Sequence, residues 1–105
     1  MSKYLLSIVM IFSLFVANAQ TTLLGKVVDA TSRNDVGYAT VALLRDTTIV
    51  AAVAARADGS FLLETEQSGK MTLEVSSVGY NTHKQQVEVA NKRIDLGEIA
   101  LTPWK

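Results

Sequence analysis

The sequence has no cysteine, one histidine and one proline among its 105 residues. Without cysteine there is no disulfide to brace a small exported domain, no thiolate metal site and no thiol to carry a lipid at a processed N-terminus. With His83 as the sole imidazole, a zinc site would need three carboxylates to converge on it, and no His-Glu-x-x-His arrangement exists. No metal or cofactor is therefore expected. A dominant charge is missing too: ten basic residues balance ten acidic ones, with no basic block and no basic-aromatic interleaving. That argues against nucleic acid as a partner. Nor is there a long hydrophobic run, since the stretch from Leu5 to Ala17 falls short of the roughly 20 residues a membrane-spanning helix needs.

What that shorter run does fit is a leader. Lys3 precedes it, and Ala17-Asn18-Ala19 supplies a small-x-small cleavage pattern. Residues 1–19 are read as a helical secretory signal peptide, cleaved before Gln20, and residues 20–105 as one small exported domain. A chain of that size must place most of its apolar side chains in a single core to fold alone.

Beyond Gln20 the pattern is β throughout. Strands are expected at Leu23 to Asp29, Tyr38 to Arg45, Ile49 to Arg56, Ser60 to Thr65, Met71 to Ser77, His83 to Val89 and Ile94 to Leu101, with turn chemistry between them. The third, Ile-Val-Ala-Ala-Val-Ala-Ala, is rich enough in alanine for a helix to be the rival reading. His83 to Val89 reads as an edge strand, polar except for Val87 and Val89. Seven short strands at this spacing predict an all-β, antiparallel, Greek-key two-sheet sandwich.

The strongest local signal is Ala55-Arg56-Ala57-Asp58-Gly59-Ser60-Phe61. A two-residue Asp58-Gly59 loop would put Arg56 opposite Phe61 and aim a cation at the core. A three-residue loop, Ala57-Asp58-Gly59 with Gly59 left-handed, pairs Arg56 with Ser60, Ala55 with Phe61 and Val53 with Leu63, leaving the polar groups outside. The second arrangement is expected, because burying an unpaired guanidinium costs several kcal/mol. Further on, Gly79 permits a bend beside Tyr80, whose hydroxyl is expected to bond to backbone as corner tyrosines do.

Five segments in order carry a resemblance: Gly25 to Asp29, Tyr38 to Leu43, Ala57 to Phe61, Val78-Gly79-Tyr80, and Asp95 to Leu101. Together they resemble the carboxypeptidase regulatory-like domain, a transthyretin-like (Ig-like) sandwich, in the form found at the N-terminus of Bacteroidetes TonB-dependent receptors and related outer-membrane β-barrel proteins. The resemblance covers Leu23 to Pro103. The sequence departs from it at Ala55-Arg56, where the family has Thr-Asp, and at Val36-Gly37, where it often has Pro-Leu. Arg56 cannot accept the hydrogen bond that fixes the first position of such a turn, so a less well fixed hairpin is expected.

The resemblance implies a non-catalytic module at the outer membrane or on its periplasmic side, contacting a receptor plug, barrel or other envelope protein in nutrient uptake. The chain would be either the front of a receptor or a free-standing module binding a protein or a glycan. The enzymatic branch of the fold, the hydroxyisourate hydrolases, implies several histidines and a C-terminal Tyr-Arg-Gly-Ser; this sequence has one histidine and ends Thr102-Pro103-Trp104-Lys105. No enzyme is expected. Asp58 lacks the Asp-x-Asp spacing of a calcium loop and reads as a turn residue. Asp58, Gly59, Phe61, Gly79 and Tyr80 are thus assigned to turns and core. Tyr38 and Trp104 remain as candidate partner contacts.

Overall fold

The computed structural model describes residues 20–90 and 92–104; the leader read over residues 1–19 lies outside the described residues. Seven strands follow one another: β1 (Thr21–Asp29), β2 (Thr40–Arg45), β3 (Thr48–Ala54), β4 (Ser60–Thr65), β5 (Gly69–Ser76), β6 (His83–Val89) and β7 (Arg93–Leu101). They form a three-stranded sheet ordered β4-β1-β7 and a four-stranded sheet ordered β3-β2-β5-β6. The all-β sandwich expected from the sequence is the observed fold.

The core comes from period-two alternation. Leu23 and Val27 of β1, Val41 and Leu43 of β2, Leu63 of β4, Leu73 and Val75 of β5, and Leu101 of β7 are almost wholly buried, between polar or exposed neighbours on most strands. Val28, on the other face of β1, is buried as well, because the loop after β1 returns alongside it through a Val28↔Asp35 bridge. Lys26 reaches the same loop in an ion pair with Asp35 at 2.9 Å. With both groups half exposed, that pair adds little. At one end of the core the buried Thr21 hydroxyl donates to the Ala90 carbonyl at 2.5 Å, so its polar group is satisfied.

One pairing is parallel, unlike the rest: β1 and β7 run in the same direction. Parallel neighbours need a long crossover, and here the intervening five strands supply it. The register of this pair shifts between Leu24 and Lys26, opposite Gly97, which adopts φ 67°.

The turn after β3 has the three-residue form. The Gly59 N–H donates to the Arg56 carbonyl at 2.9 Å, the Arg56 N–H donates to the Ser60 carbonyl at 2.8 Å, and Gly59 has φ 83°. The ladder expected beyond it does not form. Leu63 pairs with Leu23 and Phe61 with Gly25, while Val53 pairs with Val41 in the other sheet and the Ala55 N–H bonds to the Ala39 carbonyl at 2.8 Å. The chain therefore crosses from one sheet to the other at this turn. Phe61 still faces the core, but its partner is a glycine: a Cβ on Gly25 would lie 3.0 Å from the Phe61 ring and 2.8 Å from the Gly97 carbonyl oxygen. The turn is also better fixed than Arg56 alone suggests, because the Asp58 carboxylate accepts from the Ser60 N–H at 2.9 Å and the Ser60 hydroxyl at 2.6 Å. Those bonds hold the Asp58 carboxyl below its ordinary pKa, the hydroxyl contributing most.

Two measurements test this packing. Phe61, 3% exposed, should lose about 3–5 kcal/mol of unfolding free energy on replacement by alanine. Gly59→Ala and Gly79→Ala both place a Cβ at positive φ, but only at Gly59 would that atom meet a backbone oxygen, Val27 O at 2.4 Å, whereas nothing lies within 4 Å at Gly79. Urea denaturation should show a loss of about 1–2 kcal/mol for Gly79→Ala and a larger one for Gly59→Ala. Equal losses would rule out the close approach as the reason for Gly59.

Candidate functional site

The end of the sandwich at the C-terminus of β1 gathers four connections. The Val27 N–H donates to the Gly59 carbonyl at 2.8 Å, and the Val36 N–H donates to the Val27 carbonyl at 3.0 Å. The Ala30 N–H donates to Leu101 at the end of β7. The corner between β5 and β6 joins them through the segment after β7: Tyr80 bridges Pro103, the Asn81 N–H donates to the Thr102 carbonyl at 2.8 Å, and the Trp104 N–H donates to the Gly79 carbonyl at 2.9 Å. Each bond satisfies a backbone group where a strand has ended.

Tyr80 closes this end through its side chain, though not to backbone as expected. Its hydroxyl donates to Asp29 Oδ2 at 2.8 Å, joining the corner of the four-stranded sheet to the last residue of β1 in the other sheet. Asp29 is available because its other oxygen already caps the loop it starts, accepting from the Thr31 N–H at 2.7 Å and the Ser32 N–H at 2.9 Å. The Ser32 N–H, then the Tyr80 hydroxyl, then the Thr31 N–H hold the Asp29 carboxyl below its ordinary pKa. The same carboxylate, followed by partial burial, raises the Tyr80 hydroxyl above the usual phenol value.

Beside this latch lies a groove of about 470 Å³, lined by Gly37, Tyr38, Thr40, Ser76, Ser77, Val78, Tyr80, Thr82 and Trp104. Tyr38 and Trp104, 66 residues apart in the chain, thus share one groove. Both are exposed, Tyr38 at 74% and Trp104 at 66%, and Val78 beside them is 96% exposed. Tyr38 was expected at the start of the second strand. Instead it precedes β2 with φ 63°, and its N–H donates to the Arg56 carbonyl at 3.2 Å. A left-handed non-glycine residue carries backbone strain that the surrounding structure must impose. Val78 belongs to the Val78-Gly79-Tyr80 segment of the resemblance, but sequence reasoning did not make it a contact candidate. Its place between Ser77 and Gly79, in turn rather than strand chemistry, was the available signal.

The other candidate residues sit apart from the groove. Asp58 and Gly59 form the sheet-crossing turn, Phe61 is in the core, and Gly79 bends the corner at φ 88°. His83 is half-buried at the start of β6 and pairs with Gln85 Oε1 at 2.8 Å. Among the described residues, no three His, Cys, Asp or Glu side chains cluster so as to hold a metal ion.

A second surface is made by the sheet edges. Of the four edge strands, β4 carries Glu64, β6 carries Lys84 and Glu88, and β7 carries Arg93, Asp95 and Glu98. β3 carries no charge, and Ile49 on it is exposed.

Residues 23–101 match the family model described as the CarboxypepD_reg-like domain. The chain belongs to that family. A CarboxypepD_reg-like domain is a non-catalytic regulatory fold. A search of curated proteins finds no match. Among solved structures, the chain is similar to the 5-hydroxyisourate hydrolase of Klebsiella pneumoniae, with 17% identity over 81% of this chain and 92% of that one and a TM-score of 0.61. It is similar to a chain of a type II cohesin–X-dockerin complex from Acetivibrio cellulolyticus, with 17% identity over 80% of this chain and 57% of that one and a TM-score of 0.62. A pilus 2b backbone protein of group B streptococcus matches with 15% identity over 82% of this chain and 41% of that one, at a TM-score of 0.55. At these identities the likeness is one of fold, so the hydrolase lends this CarboxypepD_reg-like domain no chemistry.

The latch makes a pH prediction. Asp29 has its pKa lowered by folding, so its contribution to stability is present above pH about 4 and is lost as pH falls through the lower folded value. Tyr80 has its pKa raised, so its contribution is present below pH about 10 and is lost as pH rises through the higher folded value. Tyr80→Phe should flatten both limbs of a stability–pH profile measured by urea unfolding. Asp29→Asn should flatten the acid limb more, because it also removes the carboxylate from the Ser32 and Thr31 N–H groups. An unchanged alkaline limb in Tyr80→Phe would show that the bond does not form in solution.

Proposed function

We propose that this CarboxypepD_reg-like domain is an exported, non-catalytic accessory module of a TonB-dependent outer-membrane receptor, lying on the periplasmic side and making protein contacts that serve nutrient uptake. Three things support the address: the leader read over residues 1–19, the membership of residues 23–101 in the family, and the resemblance of the five sequence segments to receptor N-termini. Similarity to a cohesin–X-dockerin complex and to a pilus backbone protein supports a role in protein association in general.

The observation that carries the contact is the β3 edge. An edge strand offers a row of unpaired N–H and C=O groups, and proteins usually blunt it with charge. β4, β6 and β7 follow that practice and β3 does not. A bulge at Val50 disturbs only its first part, leaving Ala51 to Ala54 in regular pairing with β2. An extended segment of an envelope protein added there would continue the four-stranded sheet by main-chain hydrogen bonds.

The test combines place and contact. An antiserum against residues 20–105, applied to fractionated cells of the source organism, should detect the antigen in the outer membrane. A photocrosslinking residue at Ala52 should then yield an adduct with a receptor plug or barrel, while one at Lys84 on the β6 edge should not. A small soluble antigen with no adduct would favour a free-standing module and sink the receptor reading.

A further inference from the structure

We infer that the groove between Tyr38 and Trp104 is a binding site for a neutral oligosaccharide. Among the described residues, its lining contains no formally charged side chain. Other parts of the surface are ionic, such as the Lys26–Asp35 pair and the charged edges of β6 and β7. Ionic ligands, whether phosphate, carboxylate or amine, would leave water for this groove without gaining a counter-charge.

What the lining offers instead is of two kinds. The exposed Tyr38 and Trp104 side chains and Val78 present apolar surface, and Thr40, Ser76, Ser77 and Thr82 place aliphatic hydroxyls around it. A sugar ring has the matching two-sided character, with C–H faces that pack on aromatic rings and a rim of hydroxyls that donate and accept. The volume of about 470 Å³ lies within the range of small-ligand sites.

The backbone positions of the aromatic residues are set before any ligand arrives. Trp104 is tied by its N–H to Gly79, next to the Tyr80↔Pro103 bridge. Tyr38 is held left-handed, with its N–H on Arg56. Tyr80, which could otherwise turn its hydroxyl to the groove, is engaged with Asp29. Ordering cost on binding is correspondingly lower. The inference does not depend on the receptor assignment above, since it concerns the groove wherever the chain resides.

Trp104 is the only tryptophan in the chain, so its fluorescence reports on this groove alone. The full chain is titrated with maltohexaose, cellohexaose, xylohexaose and mannohexaose, and with oligogalacturonate as the charged counterpart. At least one neutral oligosaccharide should shift the Trp104 emission, with no shift from oligogalacturonate. Tyr38→Gly, which removes the ring while easing the positive-φ backbone, should weaken binding about tenfold without lowering the melting temperature. Trp104→Ala, followed by calorimetry, should weaken it to a similar degree. The inference is overturned if no neutral oligosaccharide moves the emission, if the acidic one binds better, or if Tyr38→Gly binds as the wild type does.

Discussion

The Phe61 ring lies opposite Gly25 and against its backbone, and the three-stranded sheet depends on that fit. β1 is the middle strand, paired antiparallel with β4 and parallel with β7, so any side chain at its centre must be shared between two neighbours. A Cβ at Gly25 would meet the Phe61 ring on one side and the Gly97 carbonyl on the other. Leaving that position empty lets β7 shift register beside it while Phe61 fills the space from β4. Phe61 in turn fixes where the chain re-enters the sandwich after β3, so the crossing between sheets is tied to the same contact. In a domain with no disulfide, close packing of this kind has to do what covalent links do elsewhere.

The opposite requirement operates at the end of the sandwich. There the strands stop, their last carbonyls and amides need partners, and the core no longer organises the chain. Hydrogen bonds between segments take over: Asp29 to its own loop and to Tyr80, Asn81 to Thr102, Trp104 to Gly79. These tie the first strand, the β5–β6 corner and the segment after β7 together. The Tyr80–Asp29 bond matters beyond its individual strength because it spans the two sheets, where apolar packing alone leaves sliding inexpensive.

Much of this was legible in the sequence, and what was not has a physical reason. Alternation along the sequence matches the burial of Val41, Leu43, Leu73 and Val75, because it depends only on which face of a strand is buried. That same indifference hid the sheet membership of β3 and β4: Phe61 faces inward whether its neighbour is Ala55 or Gly25. Gly59 was readable as left-handed because glycine after Asp in a short loop has few other uses. Tyr38 was not, since Tyr-Ala-Thr-Val-Ala-Leu reads as strand from its first residue and the constraint that turns it comes from Arg56, distant in sequence. The partner of Tyr80 lies 51 positions away and is chosen by the fold. A hydroxyl seeking any acceptor leaves no pattern behind.

Tyr38 is where local preference and structure disagree most, and the disagreement points outward. A left-handed tyrosine costs about 1–2 kcal/mol relative to glycine. Core packing offers little compensation, because the side chain is 74% exposed. Trp104 and Val78 repeat the theme of apolar groups left in water at the one end where the backbone is most tightly bonded. Stability alone would select glycine or asparagine at Tyr38 and a polar residue at Val78. Side chains that hydration and backbone strain both disfavour, gathered around one groove and carried on a rigid frame, are explained by what they meet rather than by the fold that carries them.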